Sequence, residues 1–110
     1  SDFARRGMRM HEIPAQLVFA RIMMRTNALA ARDEITVALE RAEVLIHQTG
    51  ARVFSPRLHA ERAAFAWLLG DEAGRTRELR EAERLFREIG APLRADAIAR
   101  EIDNAIVAPE

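Results

Sequence analysis

The sequence predicts an all-α fold of about five helices, arranged as antiparallel helical hairpins that stack into an α-solenoid fragment. Apolar residues recur at helical spacing along most of the chain, and one pattern repeats. The segment ALERAEVLIHQTGA at 38–51 aligns without a gap with ELREAERLFREIGA at 78–91, so Gly50 matches Gly90 at an offset of 40 residues. A fixed period of this length is typical of stacked helical repeats.

The predicted helices lie near 13–31, 33–49, 55–69, 72–89 and 93–106. Residues 1–11 are predicted to be a tail or the end of an upstream element. Residues 12–110 are predicted to form one helical domain, with repeat one at 13–50, repeat two at 55–90 and a capping helix at 93–106.

The helix starts are predicted from side chains that commonly cap helices. Asp33, Ser55 and Asp71 each precede an apolar periodic segment, and their oxygens can accept the first free backbone N–H groups. Pro56 would occupy the first helical position, where its missing N–H costs nothing.

The helix ends are predicted from glycine. Gly50, Gly70 and Gly90 each follow such a segment and can adopt the left-handed conformation that ends a helix, and Pro92 prevents the helix before it from resuming.

The segment 55–69 is apolar on more than one face, which indicates a helix buried between neighbours. We therefore expect Trp67, the only tryptophan, to pack in the core, with a role as an anchor at an interface as the alternative. The predicted core residues are Leu45, Ala64, Phe65, Leu68, Leu79, Ala82, Leu85 and Phe86.

Composition excludes several functional classes. The formal net charge is zero, so no overall field attracts nucleic acid or an anionic membrane. Cysteine is absent, which removes disulfides, thiolate catalysis and Cys-ligated zinc. No apolar run approaches the roughly 20 residues that span a bilayer, and no signal-peptide pattern is present, so a cytoplasmic protein is expected. The three histidines are scattered and no carboxylate pair suggests a cleft, so no metal, cofactor or enzymatic activity is expected.

The helix-pair pattern, with its small alanines and Gly-Asp turn, resembles tetratricopeptide repeats of the longer variant. More specifically, residues 38–102 resemble the C-terminal segment of large bacterial signalling proteins. These join a class III adenylate or guanylate cyclase domain and an AAA-type or STAND-type ATPase domain to a tetratricopeptide region. The motifs are ALERA at 38–42, TGAR at 49–52, SPRLHAERA at 55–63, LLGDEA at 68–73, RELREAERLF at 77–86 and EIGAPLRADAIARE at 88–101. They are packing and turn motifs, so the resemblance implies no catalytic activity for this chain.

The resemblance implies a non-catalytic module for protein–protein interaction or regulation, whose partner is an upstream domain of the same protein or another protein. The expected partner-binding residues are the polar ones on the first helix of each pair, because those helices line the concave side of a solenoid. They are Arg21, Arg25, Asn27, Arg57, His59, Glu61 and Arg62. The alternative is a small-molecule sensor of an ATP-dependent transcription regulator, in which Arg57 and Arg62 would hold an anion.

The first helix also predicts self-association. The capping helix has a polar outer face, whereas the N-terminal end has no polar cap and would expose large apolar side chains. We expect a two-fold homodimer through this helix, and the competing outcome is that residues 1–10 fold back over the apolar surface. The predicted contact residues are Leu17, Val18, Phe19, Ile22 and Met23.

Overall fold

A computed structural model describes residues 2–107, apart from the side chains of residue 3 and residues 105–107. Ser1 of the predicted tail and residues 108–110 of the predicted domain lie outside the described residues. The helices are α1 (Asp2–Thr26), α2 (Arg32–Thr49), α3 (Ser55–Leu68), α4 (Glu72–Glu88) and α5 (Pro92–Val107), with short 3-10 turns at Ala28–Ala31 and Arg52–Phe54. Residues 2–107 contain no strand, so the predicted all-α fold of five helices is confirmed.

The first helix is longer at its start than predicted. It begins at Asp2 rather than near residue 13, and Pro14 lies inside it, although an internal proline removes one backbone hydrogen bond. Residues 2–10 therefore continue the helix and do not fold back over its apolar surface. The predicted end at residue 31 is also wrong, because α1 ends at Thr26 and a 3-10 turn follows, which begins at Ala28 with φ 51°.

One predicted cap is confirmed. An oxygen of Asp71 accepts a hydrogen bond from the Gly74 backbone N–H at 2.9 Å, which satisfies one free donor of α4. A Cβ atom at Gly74 would lie 2.2 Å from the other Asp71 oxygen, so glycine leaves room for this cap.

The other two predicted caps are wrong. The α2 helix begins one residue before Asp33 and α3 begins at Ser55 itself, and neither side chain caps a helix. The reason lies in the 3-10 turns that run directly into both helices. The N–H of Arg32 bonds to the carbonyl of Leu29, and the N–H of Ser55 bonds to that of Arg52. These first N–H groups therefore have a backbone partner already.

The glycine stops are confirmed. Gly50, Gly70 and Gly90 have φ values of 74°, 76° and 80°, which is the left-handed conformation that side chains rarely adopt.

The helices pack in chain order. The largest contacts join α1 to α2, α3 to α4 and α4 to α5, and α1 also contacts α3. Two pairs of matching positions of the repeat are equally buried: Ala42 and Ala82 are both 0% exposed, and Leu39 and Leu79 are 2% and 3% exposed. This arrangement is compatible with tetratricopeptide-like stacking.

The predicted core is partly correct. Leu45, Leu79, Ala82 and Phe86 are buried, whereas Phe65, Leu68 and Leu85 are half-buried. Ala64 is exposed and Trp67 is 66% exposed, so the expectation that both lie in the core is wrong. The buried residues of α3 are Pro56, Leu58, Glu61, Ala63 and Ala66. Because the small Ala63 and Ala66 take the core positions in the C-terminal half of α3, Ala64 and Trp67 are left on the surface.

Candidate binding groove

A groove of about 720 Å³ lies between α1, α3 and α5. A second cavity of about 280 Å³ continues it towards Trp67 and shares Ala60, Ala64 and Glu101 with it. We treat the two as one surface, the α1–α3–α5 groove. Its lining residues are Arg21, Met24, Arg25, Arg57, Ala60, Glu61, Ala63, Ala64, Trp67, Arg75, Leu79, Phe86, Arg94, Ala97, Ile98 and Glu101.

The repeat positions the groove. Arg21, Glu61 and Glu101 are separated by steps of 40 residues, the same period that relates Gly50 to Gly90, and all three line the groove. The first helix of each pair, α1 and α3, and the capping helix α5 therefore place the same position of the 40-residue period in the groove. This period is the sequence signal that could have identified Glu101, which the sequence analysis missed.

Small side chains make the groove deep enough to admit a ligand. Ala60 and Ala64 lie one turn apart on α3, and Ala97 lies on α5. Among the described side chains, no large one fills the space above these alanines, and Ala64 is therefore exposed although α3 is apolar. The groove therefore has an apolar floor between polar walls.

An ion pair joins α1 to α3 across the groove. The guanidinium of Arg21 donates a hydrogen bond to a carboxylate oxygen of Glu61. The side chain of Glu61 is only 5% exposed, whereas that of Arg21 is 53% exposed. A buried carboxylate is costly without a partner, so Arg21 has a structural role in addition to its place in the groove.

Four further arginines line the groove without an ion-pair partner among the described residues: Arg25, Arg57, Arg75 and Arg94. The guanidinium carbons of Arg57 and Arg94 lie 5.9 and 5.8 Å from the ring centroids of Phe54 and Phe86. This cation–π geometry holds the charged groups and leaves their N–H donors able to bind an anion.

The groove is positive overall, although the chain is neutral. Between α1, α3 and α5 it carries four arginines and two glutamates, Glu61 and Glu101, and Arg75 lies towards Trp67. The Arg21–Glu61 pair neutralises one charge of each sign, so the excess comes from the remaining arginines.

On the outer face of α4, two arginines are paired within the chain. Arg84 contacts Glu81 at 2.6 Å and Glu88 at 2.9 Å, and Arg87 contacts Asp96 at 2.9 Å. The hydrogen bond from Arg84 lowers the pKa of Glu81. Arg77 and Arg80 of the same helix have no ion-pair partner among the described residues, so unpaired arginines also occur outside the groove. The groove differs in that several unpaired arginines lie together beside an apolar floor.

Four of the seven expected partner-binding residues line the groove: Arg21, Arg25, Arg57 and Glu61. The other three lie elsewhere. Asn27 accepts a hydrogen bond from the Thr26 hydroxyl at the end of α1.

His59 and Arg62 instead join neighbouring helices. A ring nitrogen of His59 lies 2.6 Å from a carboxylate oxygen of Glu78 on α4, and Arg62 donates to Glu43 on α2 at 2.7 Å. Helical spacing accounts for the division, because residues 57, 60, 61 and 64 share one face of α3 whereas 59 and 62 do not. Arg57 and Arg62 are therefore not brought together as an anion site.

The expected self-association residues also divide. Val18, Phe19 and Ile22 are exposed by 48%, 43% and 51%. Leu17 is buried at 1% exposure, and Met23 is partly buried against the core. Leu17 therefore belongs to the core rather than to a contact surface.

Within residues 2–107, no group of three or more histidine, aspartate or glutamate side chains could hold a metal ion. No helix in the described part of the chain is both long and apolar enough to cross a membrane. No family model matches the chain, and no matching curated protein or solved structure was found.

Proposed function

We propose that the chain is a non-catalytic interaction module whose α1–α3–α5 groove binds an acidic segment of a protein. The observation that carries the proposal is the set of arginines in the groove, Arg25, Arg57, Arg75 and Arg94, which have no acidic partner among the described residues. Arginine donates to carboxylates through a planar group with several N–H donors, and so suits aspartate and glutamate side chains.

The apolar part of the groove supports a peptide rather than a small anion. The alanine floor leads from the arginines to Trp67, which is 66% exposed. Exposed tryptophans are enriched among residues that dominate binding energy at protein interfaces. An acidic segment with one or two large apolar side chains would fill both regions of the groove.

The proposed biological setting follows the resemblance of the sequence to the C-terminal regions of cyclase and ATPase signalling proteins. We propose a cytoplasmic regulatory role in which the bound segment belongs to an upstream domain of the parent protein or to another protein. Such a module would act by occupancy of the groove, because a solenoid can transmit the binding of a segment to the domain it is joined to.

The test uses Trp67 as its own reporter, since the chain has no other tryptophan. We expect a synthetic glutamate-rich peptide containing two leucines to change the Trp67 fluorescence saturably, whereas a peptide with lysine in place of each glutamate does not. Charge reversal by Arg25→Glu with Arg57→Glu is expected to weaken binding at least about tenfold, which corresponds to about 1.4 kcal/mol. Higher salt should also weaken binding, because exposed charges are screened.

The matched control is Arg77→Glu with Arg80→Glu, which makes the same change in net charge at exposed positions of α4 outside the groove. This control should bind as the unmodified chain does. Equal losses from the two double variants would show that bulk charge, rather than the groove, attracts the peptide, and would overturn the proposal.

The alternative role as a small-molecule sensor is tested by a second measurement. Thermal unfolding with nucleotides and sugar phosphates, together with a short single-stranded oligonucleotide, tests whether phosphate groups bind instead. A rise of several degrees with a phosphate compound, lost in Arg25→Glu with Arg57→Glu, would replace the peptide proposal with a sensor. We expect no such rise.

A further inference from the structure

The α1 helix has two apolar faces, and only one of them meets the core. Ile13, Leu17 and Ala20 are 0–1% exposed and pack against α2 and α3. On the opposite side, large apolar side chains face solvent at helical spacing. We call this surface the α1 outer stripe; its residues are Met8, His11, Ala15, Val18, Phe19 and Ile22, and its four large apolar members are 74%, 48%, 43% and 51% exposed.

The stripe itself contains no carboxylate or guanidinium group. Of the charged residues beside it, Glu12 and Arg21 are paired within the chain, whereas Arg5 and Arg25, near its two ends, have no ion-pair partner among the described residues. Glu12 pairs with Arg41 on α2 at 3.0 Å, and the hydrogen bond from Arg41 lowers the pKa of Glu12. Arg21 on another side of α1 pairs with Glu61. A second protein surface can therefore cover the middle of the stripe without burying an unpaired charge, which would oppose association.

The order of residues in the stripe is suited to a second copy of the same chain. Met8 and Ile22 each lie seven residues from Ala15, on opposite sides of it, and His11 and Phe19 each lie four residues from it. If two α1 helices cross antiparallel at Ala15, Met8 meets Ile22 of the second copy and His11 meets Phe19. Val18 meets Glu12, whose carboxylate is already paired with Arg41 of its own chain. The small Ala15 side chain at the crossing lets the two backbones approach closely, and antiparallel helices place opposite dipole ends together.

We propose that the chain forms a two-fold homodimer through the α1 outer stripe, with antiparallel α1 helices that cross at Ala15. A two-fold contact uses the same surface on both copies, and this requires the self-complementary order that the stripe has. The dimer covers a surface separate from the peptide-binding residues, because no member of the stripe lines the α1–α3–α5 groove. Each copy therefore keeps its groove open, and the dimer presents two grooves to a partner.

The first test measures mass in solution. Light scattering and sedimentation at micromolar concentration are expected to give a dimer for the unmodified chain, and a monomer for Phe19→Glu with Ile22→Glu. The matched control is Val37→Glu with Val44→Glu on the outer face of α2, where the side chains are similarly exposed at 64% and 45%. This control should remain dimeric. Circular dichroism verifies that both double variants keep the helical content of the unmodified chain.

Two results would overturn the dimer. One is a monomer at every concentration for the unmodified chain. The other is a dimer that persists in Phe19→Glu with Ile22→Glu while the helical content is unchanged, which would place the contact elsewhere.

The second test examines the crossing point. Because the chain has no cysteine, Ala15→Cys introduces a single thiol that meets its own copy on the two-fold axis. Mild oxidation is expected to link this variant into a covalent dimer, because two Cys side chains bond only when their Cα atoms lie close together. Val37→Cys is the control and should link far more slowly. Equal rates for the two variants would overturn the proposed crossing at Ala15.

Discussion

Replacement of Leu45 by alanine is expected to lower the free energy of unfolding by about 2–5 kcal/mol. Leu45 is 0% exposed and belongs to the core cluster of α1, α2 and α3. Truncation removes buried methyl groups and leaves a cavity, and both effects reduce stability. Urea unfolding followed by circular dichroism measures the change.

Leu85 is the matched comparison, because it occupies the same position of the second repeat but is only half-buried. Leu85→Ala should therefore cost less than Leu45→Ala. Arg80→Ala, on the exposed face of α4, should change the free energy of unfolding by no more than about 0.5 kcal/mol. A loss at Leu85 equal to or larger than that at Leu45 would contradict the assignment of burial.

The second large effect is expected from the Arg21–Glu61 pair. Arg21→Met removes the partner of a carboxylate that is almost fully buried, and it should lower the free energy of unfolding by about 1–3 kcal/mol. If Glu61 is also replaced by methionine, no unpaired charge remains. The double variant should therefore be more stable than Arg21→Met alone.

A double-mutant cycle with Arg21→Met and Glu61→Met measures the coupling between the two side chains. Residues in direct contact commonly couple by about 0.5–3 kcal/mol. If the two single effects simply add, the ion pair makes no contribution and Glu61 must be satisfied in another way. The same cycle gives the contribution of Arg21 to the free energy of unfolding. This contribution must be known before an effect of Arg21 on peptide binding is interpreted.

The sequence predicts the fold well where a local signal acts alone. Gly50, Gly70 and Gly90 end their helices as expected, because no other residue type adopts the required backbone angle so readily. Asp71 caps α4 by accepting a hydrogen bond from the Gly74 N–H, and residues 69–71 between α3 and α4 contain no 3-10 turn. Of the predicted core residues on α2 and α4, Leu45, Leu79, Ala82 and Phe86 are buried, whereas Leu85 is only half-buried.

The failures arise where backbone or packing competes with a local signal. Ser55 and Asp33 have the right chemistry for caps, but 3-10 turns already satisfy the first N–H of each helix. The sequence predicts that the first helix begins near residue 13, yet α1 begins at Asp2 and continues through Pro14. No local pattern in the sequence reveals where α1 begins or that 3-10 turns precede α2 and α3, because these features depend on the conformation of the residues before each helix.

Trp67 illustrates a different failure. An apolar helix such as α3 is expected to bury its largest side chain, but the alanines of α3 take the buried positions and leave Trp67 exposed. Which face of α3 is buried depends on where α1, α4 and α5 lie, and no local sequence pattern specifies their positions. Extension of the 40-residue period from Arg21 to Glu61 and Glu101 would have identified three residues that line the groove together.

The most direct test of the proposed groove is nuclear magnetic resonance mapping of the backbone amides of the labelled chain during titration with the glutamate-rich peptide. We expect the largest shifts on α1, α3 and α5, at residues near Arg25, Arg57, Trp67 and Glu101, with the Trp67 indole N–H among them. The outer faces of α2 and α4 should change little. Shifts concentrated on those outer faces, or a titration that produces no saturable shifts, would contradict the proposal that this groove is the binding site.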